Sequence, residues 1–178
     1  MSTQLHLANT DLISERLCLR LLHFGDKHWV LRLQQDDLWV RFIGSRGVNT
    51  LDDACDYIER TNAQRAEWGY GLWAVEDKLS QQPLGVCGLF NRFAFDCPDL
   101  GFAMLPEARG KGICKEACSR VIEWAESQHY GFLTAMTHPE NEASQHVLRR
   151  VGFQKHGAYF DKTFPKQHLF WIDLPKAR

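Results

Sequence analysis

Between Leu105 and Ala117 the chain reads LPEARGKGICKEA, with Arg109, Lys111 and Lys115 set around two glycines and a helical run starting directly behind them. Cations and glycines at a helix start suit anion binding. The first backbone N–H groups of a helix are unpaired, the helix dipole adds positive potential, and glycine lets the chain approach a ligand closely. The same residues also suit an ordinary solvated turn. Two common phosphate motifs are excluded by spacing. A P-loop needs Gly, four residues and then Gly-Lys-Ser/Thr, but Leu105 stands at the first glycine and Gly112 follows Lys111. A dinucleotide fingerprint needs G-x-G-x-x-G, and Lys115 occupies its third glycine position.

Metal and thiol chemistry have less support. The six cysteines (Cys18, Cys55, Cys87, Cys97, Cys114, Cys118) contain no CxxC, and the eight histidines lack ligand spacing, so no metal is expected and each histidine is read as structural or exposed. The start MSTQLHLANTDLISERL lacks a basic segment followed by a long apolar core, and no run is long enough to span a bilayer. A cytoplasmic protein with reduced thiols and no membrane partner is expected. A net charge of −1 argues against a nucleic-acid partner. With 178 residues, 44% of them hydrophobic and 24% charged, the chain is expected to form a single domain over 1–178, as a monomer or homodimer.

The elements that must carry the loop follow from periodicity. ERLCLRLL within Ser14 to Leu22 alternates as a strand, and Asp26 to Phe42 has helical spacing. Thr50 with Asp53 predicts a capped helix running to about Trp68 and closed by Gly69 and Gly71. GLWAVED and PLGVCGLFNRFAF predict a hairpin turning at Lys78 to Gln82, and Asp96 to Pro98 a further turn. DLGFAML is a strand, Gly112 to Gln128 a helix, GFLTAMT a strand, and NEASQHVLRRV a helix stopped by Gly152. Phe153 to Phe164 and HLFWIDL complete the pattern as two strands split at Pro165-Lys166. The order β-α-α-β-β-β-α-β-α-β-β predicts mixed α/β layers, with a β-α-β unit around the glycine loop.

Arg109-Gly110-Lys111-Gly112-Ile113-Cys114 resembles the R/Q-x-x-G-x-G/A pyrophosphate loop of the GNAT acetyltransferases. The resemblance runs through most of the chain. SERLCLRLL, RFIG, the hairpin, DLGFAML-PEARGKG and above all HPENEASQHVLRRVGF are similar, in order, to the subgroup that acetylates ribosomal-protein N-termini. It implies a central, mostly antiparallel twisted sheet whose family strands 4 and 5 splay apart, with helices on both faces. It also implies acetyl-CoA as cosubstrate and a primary amine as acceptor, first of all a protein N-terminal α-amine. The loop departs from the pattern at Cys114, where the family has Gly or Ala. A reactive thiol at a helix start competes there with a buried or incidental one.

Residue roles follow from the resemblance. Arg109, Gly110, Lys111, Gly112, Ile113 and Cys114 would cradle the pyrophosphate, and backbone near Met104 and Leu105 would hold the thioester and pantetheine. Asn141 would bind pantetheine amides or cap its helix. Asp99 stands where many relatives carry Glu, and would act as a base directly or through water; its alternative is a strand-edge Asp. Ser144 would hydrogen-bond the thiol sulfur, or serve as a helix-start serine. Many relatives place a Tyr acid seven residues after the motif Asn, and here that position is Leu148. Trp39, Phe42, Trp73, Phe90, Phe102 and Tyr159 would line an acceptor groove or belong to the core. The missing Tyr and Glu leave open a non-catalytic acyl-CoA sensor, and an acetyltransferase of small amines is a further alternative.

Overall fold

Thr50 begins the longest helix as its spacing predicts. In the computed structural model, which describes residues 11–92, 97–160 and 166–175, its side chain accepts from the Asp53 N–H while Asp53 accepts from the Thr50 N–H. Gly69 closes the helix in the left-handed region at φ +77°. Strands and helices follow in the order β1 (Leu12–Ile13), β2 (Leu17–Arg20), α1 (Lys27–Gln34), α2 (Asp37–Phe42), α3 (Leu51–Trp68), β3 (Leu72–Asp77), β4 (Pro83–Asn91), β5 (Pro98–Met104), α4 (Ile113–Ser127), β6 (Phe132–Thr137), α5 (Glu142–Arg150), β7 (Gln154–Tyr159) and β8 (Gln167–Asp173). The expectations for residues 1–10, for Phe93 to Asp96 and for 161–165 fall outside the described residues.

The eight strands form one sheet in the order β1-β2-β3-β4-β5-β6-β8-β7. Every neighbouring pair is antiparallel except β5 and β6, the parallel pair of the β-α-β unit. On its other side β5 pairs with β4 along its whole length, from Asn91↔Pro98 to Gly85↔Met104. Toward β6 it pairs in a single register, Asp99↔Thr134. The two strands therefore meet at the start of β5 and part before its end, which is the expected splay.

Two apolar layers sandwich the sheet. Leu33, Trp39, Ala54 and Ile58 of α1–α3 pack with Leu72, Ala74 and Val86 on one face. Ile113, Ala117, Val121 and Ala125 of α4 pack with Trp73, Val75, Cys87 and Leu148 on the other. Alternate residues of β3 divide between the layers, as the pleat requires.

One strand is added and one predicted helix is divided. The first predicted strand forms β2, and β1 precedes it at Leu12–Ile13, ahead of the alternating stretch. The helix expected over Asp26 to Phe42 breaks at Asp36, which adopts extended backbone and caps α2 by accepting from Leu38 and Trp39 N–H. A capping carboxylate starts a new helix more readily than it continues an old one. The break turns out to matter for the site.

Candidate functional site

The splay opens a cavity of about 1120 Å³ that passes between the two layers. Leu38, Trp39, Phe42 and Ile43 of α2 and its C-terminal turn, with Tyr57, Arg60, Thr61, Gln64 and Trp68 along one face of α3, line it on one side of the sheet. Gly110, Gly112, Ile113, Cys114 and Lys115, with Asn141, Ser144 and Val147 of α5, line it on the other. Leu100 to Met104 form the wall between. Sequence reasoning expected this β5 segment, but not the stripe on α3, whose spacing alone cannot say which face meets a cavity.

Gly110 and Gly112 hold φ of +73° and +74°, a conformation that favours glycine. Gly112 is the residue before the first turn of α4, and no side chain caps that turn. The first N–H groups of a fifteen-residue helix are thus presented at the cavity, the arrangement that suits an anion. The outer side of the loop is pinned by residues that periodicity did not single out. Arg16 pairs with Glu116 at 2.7 Å and donates to the Lys111 carbonyl at 3.0 Å, and Ser14 Oγ donates to Glu116 at 2.7 Å. Lys111 itself is exposed and does not line the cavity. Cys114 does line it, half-buried, while Cys118 one turn later is fully buried with its Sγ 3.9 Å from Cys87 Sγ.

Arg109 is held from inside. Its Nε donates to the Met104 carbonyl at 3.0 Å, and Nη1 and Nη2 both reach the Asp36 carboxylate. The carboxylate that breaks the first helical segment therefore braces the glycine loop. Burial alone would raise the Asp36 carboxyl, but Arg109 and the Trp39 and Leu38 N–H groups outweigh it and hold it below its usual value. Its stabilisation is accordingly present above the unfolded value of ~3.9 and lost as pH falls through the lowered folded value. Asp36→Asn keeps a capping oxygen and removes the charge. We expect it to cost about 1–2 kcal/mol at neutral pH in urea melts, with the gap to wild type narrowing as pH falls below the unfolded value of ~3.9. An unchanged melt at neutral pH would show that the brace contributes nothing.

On α5, Asn141 accepts from the Ser144 N–H at 3.1 Å through Oδ1 and so caps the helix. Ser144 is in the first turn, half-buried and facing the cavity. It is the recipient of that cap, so its hydroxyl is not needed for one. Leu148 is buried yet also reaches the cavity wall. His138, read from sequence as structural or exposed, lines the cavity and sits 5.5 Å from the Phe42 ring between centroids. With the Arg41–Glu140 pair at 3.0 Å, it fastens the end of α2 to the loop before α5.

Asp99 lies elsewhere. It is 0% exposed and does not line the cavity. One carboxylate oxygen takes the Arg92 Nε–H and the other the Thr134 hydroxyl at 3.0 Å. Burial pushes its carboxyl up, and Arg92 and Thr134 pull against that. Arg92 does reach the cavity. Leu105 is fully buried beneath the α1–α3 layer, with its N–H on the Leu84 carbonyl, whereas Met104 lines the wall.

Of the six aromatics, Trp39, Phe42, Phe90, Phe102 and Tyr159 reach the cavity. Trp73 points into the opposite layer, edge-on to Trp124 at 5.2 Å and under the Arg65 guanidinium at 3.9 Å. Phe90 lies flat against β5 because Gly101 has no side chain; a Cβ there would stand 2.6 Å from its ring. Among the described residues no group of His, Cys, Asp and Glu could hold a metal, and no helix is long and apolar enough to cross a membrane.

Comparison with known proteins agrees with this geometry. Residues 16–154 match the family model described as an acetyltransferase (GNAT) domain. The uncharacterized N-acetyltransferase YnaD of Bacillus subtilis is 25% identical over 159 residues, covering 89% of this chain and 90% of that protein. The [ribosomal protein uS5]-alanine N-acetyltransferase of Escherichia coli is 29% identical over 103 residues, covering 56% of this chain and 52% of the enzyme. Among solved structures, the ribosomal L7/L12 alpha-N-protein acetyltransferase RimL in complex with coenzyme A superposes with a TM-score of 0.73 at 14% identity, covering 93% and 98% of the two chains. The splayed sheet, the glycine loop at the start of α4 and the family match together make this chain a member of the GNAT acetyltransferase family, and so an acyltransferase.

Proposed function

We propose that the chain transfers an acetyl group from acetyl-CoA directly, in a ternary complex, to the α-amine of a protein or peptide N-terminus. The observation that carries this reading is the cavity through the splay, lined by the uncapped glycine-led start of α4 on one face of the sheet and by α2 and α3 on the other. The residues present fit the cofactor. Gly110, Gly112 and the first N–H groups of α4 would take the pyrophosphate, with Lys115 beside them, while Arg109 holds the loop in shape. The β6-facing edge of β5 near Met104 would hold the pantetheine and thioester.

In the transfer, the neutral amine nitrogen attacks the thioester carbon, the C–S bond breaks, and coenzyme A leaves as a thiolate. Ser144 would donate to the departing sulfur, and Asn141 would fix the helix turn that carries Ser144. The amine must lose one proton. An α-amine with a pKa near ~8 is partly neutral already at physiological pH, so a cavity water suffices as acceptor. Asp99 is then a positioning residue that fixes Arg92 at the wall. The relatives that modify ribosomal proteins support a protein acceptor.

Peptides with free N-termini should gain one acetyl group by mass spectrometry while internal lysines stay unmodified, and blocking the terminus should abolish the gain. Ser144→Ala should lower kcat by about tenfold with the acetyl-CoA Kd unchanged. Acetylation confined to lysine side chains or small amines would overturn the acceptor assignment. Coenzyme A binding with no thiol release in the presence of any amine would instead make the chain a sensor.

A further inference from the structure

The cavity lining is one-sided in charge. It includes Arg46, Arg60, Arg92, Arg109, Lys115 and Arg150, and no Asp or Glu among the described residues. The chain as a whole has net charge −1, so this bias is local. On the face of the loop, α4 and α5, cations are what a cofactor rich in phosphate requires. Arg46 and Arg60 are different. They come from the α2–α3 connection and from α3, in the layer on the opposite face of the sheet, where the acceptor approaches under the proposed function.

They also lack carboxylate partners. Arg16, Arg20, Arg32, Arg41, Arg92, Arg109 and Arg120 each pair with an Asp or Glu, whereas Arg46, Arg60, Arg65, Arg149 and Arg150 pair with none among the described residues. Of those five, Arg46 and Arg60 line the cavity from the α1–α3 side, and Arg150 lines it from α5. Arg60 lies 5.9 Å from the centre of the Tyr57 ring, which limits its freedom, and Thr61 and Gln64 on the same helix face add neutral hydrogen-bonding groups to the wall. Two unpaired guanidiniums repel an approaching cation and attract a carboxylate, bidentately where geometry allows. No carboxylate in the lining offers an ammonium group a compensating charge.

We propose that the acceptor is an acidic amine, an α-amine with one or more carboxylates within a few bonds, read by Arg46 and Arg60. This rests on the acetyltransferase reading and narrows it. Polycations such as spermidine are disfavoured, as is an N-terminus followed by lysines. An acidic N-terminal peptide and a free acidic amino acid share this chemistry.

The test uses the full chain saturated with acetyl-CoA and peptides beginning Ala-Asp-Glu, Ala-Ala-Ala or Ala-Lys-Lys, with free aspartate and spermidine as small-molecule arms. We expect kcat/KM to fall from acidic to basic peptide by at least about tenfold at low salt, with the span shrinking at high ionic strength. R46E/R60E should reverse the order. Acceptor binding is measured in parallel by tryptophan fluorescence on the protein saturated with coenzyme A, and cofactor affinity is measured for each variant. If aspartate is turned over and the acidic peptide is not, the source is a small molecule and the inference holds. Equal rates, or preference for the basic peptide, overturns it. If no amine is acetylated, the proposed function fails, and binding decides the inference: tenfold tighter acidic peptide, lost in R46E/R60E, upholds it, and no preference refutes it.

Discussion

Acetyl-CoA at ~100-fold above its Kd is expected to raise the melting temperature of the wild-type protein by about 5–10 °C, and Gly112→Asp to abolish the rise. A ligand that binds only the folded state stabilises it by ~2.7 kcal/mol at that excess, and each kcal/mol is worth roughly 2–4 °C in a chain of this size. Gly112 is the hinge of the site, because its φ of +74° turns the chain from the loop into α4. Aspartate tolerates the left-handed region better than most residues, and the nearest atom to a new Cβ is Arg16 Nη2 at 3.5 Å, an ordinary contact. The variant should therefore fold, at a backbone cost of about 1–2 kcal/mol. Its carboxylate would sit where the pyrophosphate is to bind. Gly112→Asn carries the same backbone strain without the charge and should keep part of the response. A Gly112→Asp protein that responds to acetyl-CoA like wild type would remove the loop from the cofactor site.

Asp99→Asn should lower stability by about 2–3 kcal/mol and leave the pH dependence of turnover in place. Removing one partner of a fully buried ion pair costs ~3–5 kcal/mol; the Arg92 side chain is 23% exposed, so solvent recovers part of that. The drop in melting temperature should be roughly 4–12 °C. Turnover should fall as well, because Arg92 loses the partner that fixes it at the wall. The inflection of the pH–rate profile should stay near the acceptor's own pKa of ~8, since the proton goes to water. Arg92→Lys supplies the complementary measurement: it should raise KM with the same inflection. If Asp99→Asn keeps its stability but its inflection moves, the carboxylate is the base and its positioning role is refuted.

Local chemistry was written plainly in the sequence wherever neighbouring residues suffice to decide it. The Thr50–Asp53 box, the Gly69 stop, the hairpin turning after Asp77 and the α4 face at Ile113, Ala117, Val121 and Ala125 all depend on contacts within a few residues, and all stand where periodicity put them. The same holds for the glycine loop, since a left-handed backbone before a helix leaves its mark as glycine at fixed positions. The resemblance carried further, to the family and to the splay.

Tertiary structure alone decided which of those residues meet. Asp36 reads locally as one polar residue in a helical run; that it braces Arg109, seventy-three positions away, depends on how α2 crosses the loop. Trp73 and Phe90 look alike as strand aromatics, yet the pleat and the neighbouring layer send one into the core and the other to the cavity. Asp99 stands where the family resemblance implies a base, yet it has the burial of an ion-pair partner, because Arg92 and Thr134 close over it from a neighbouring strand end and from β6. Arg46 and Arg60 carry no motif at all. Surface charge is usually solvated, and only the packing of α3 and of the connection before it beside the splay brings these two to a cavity without a carboxylate to answer them.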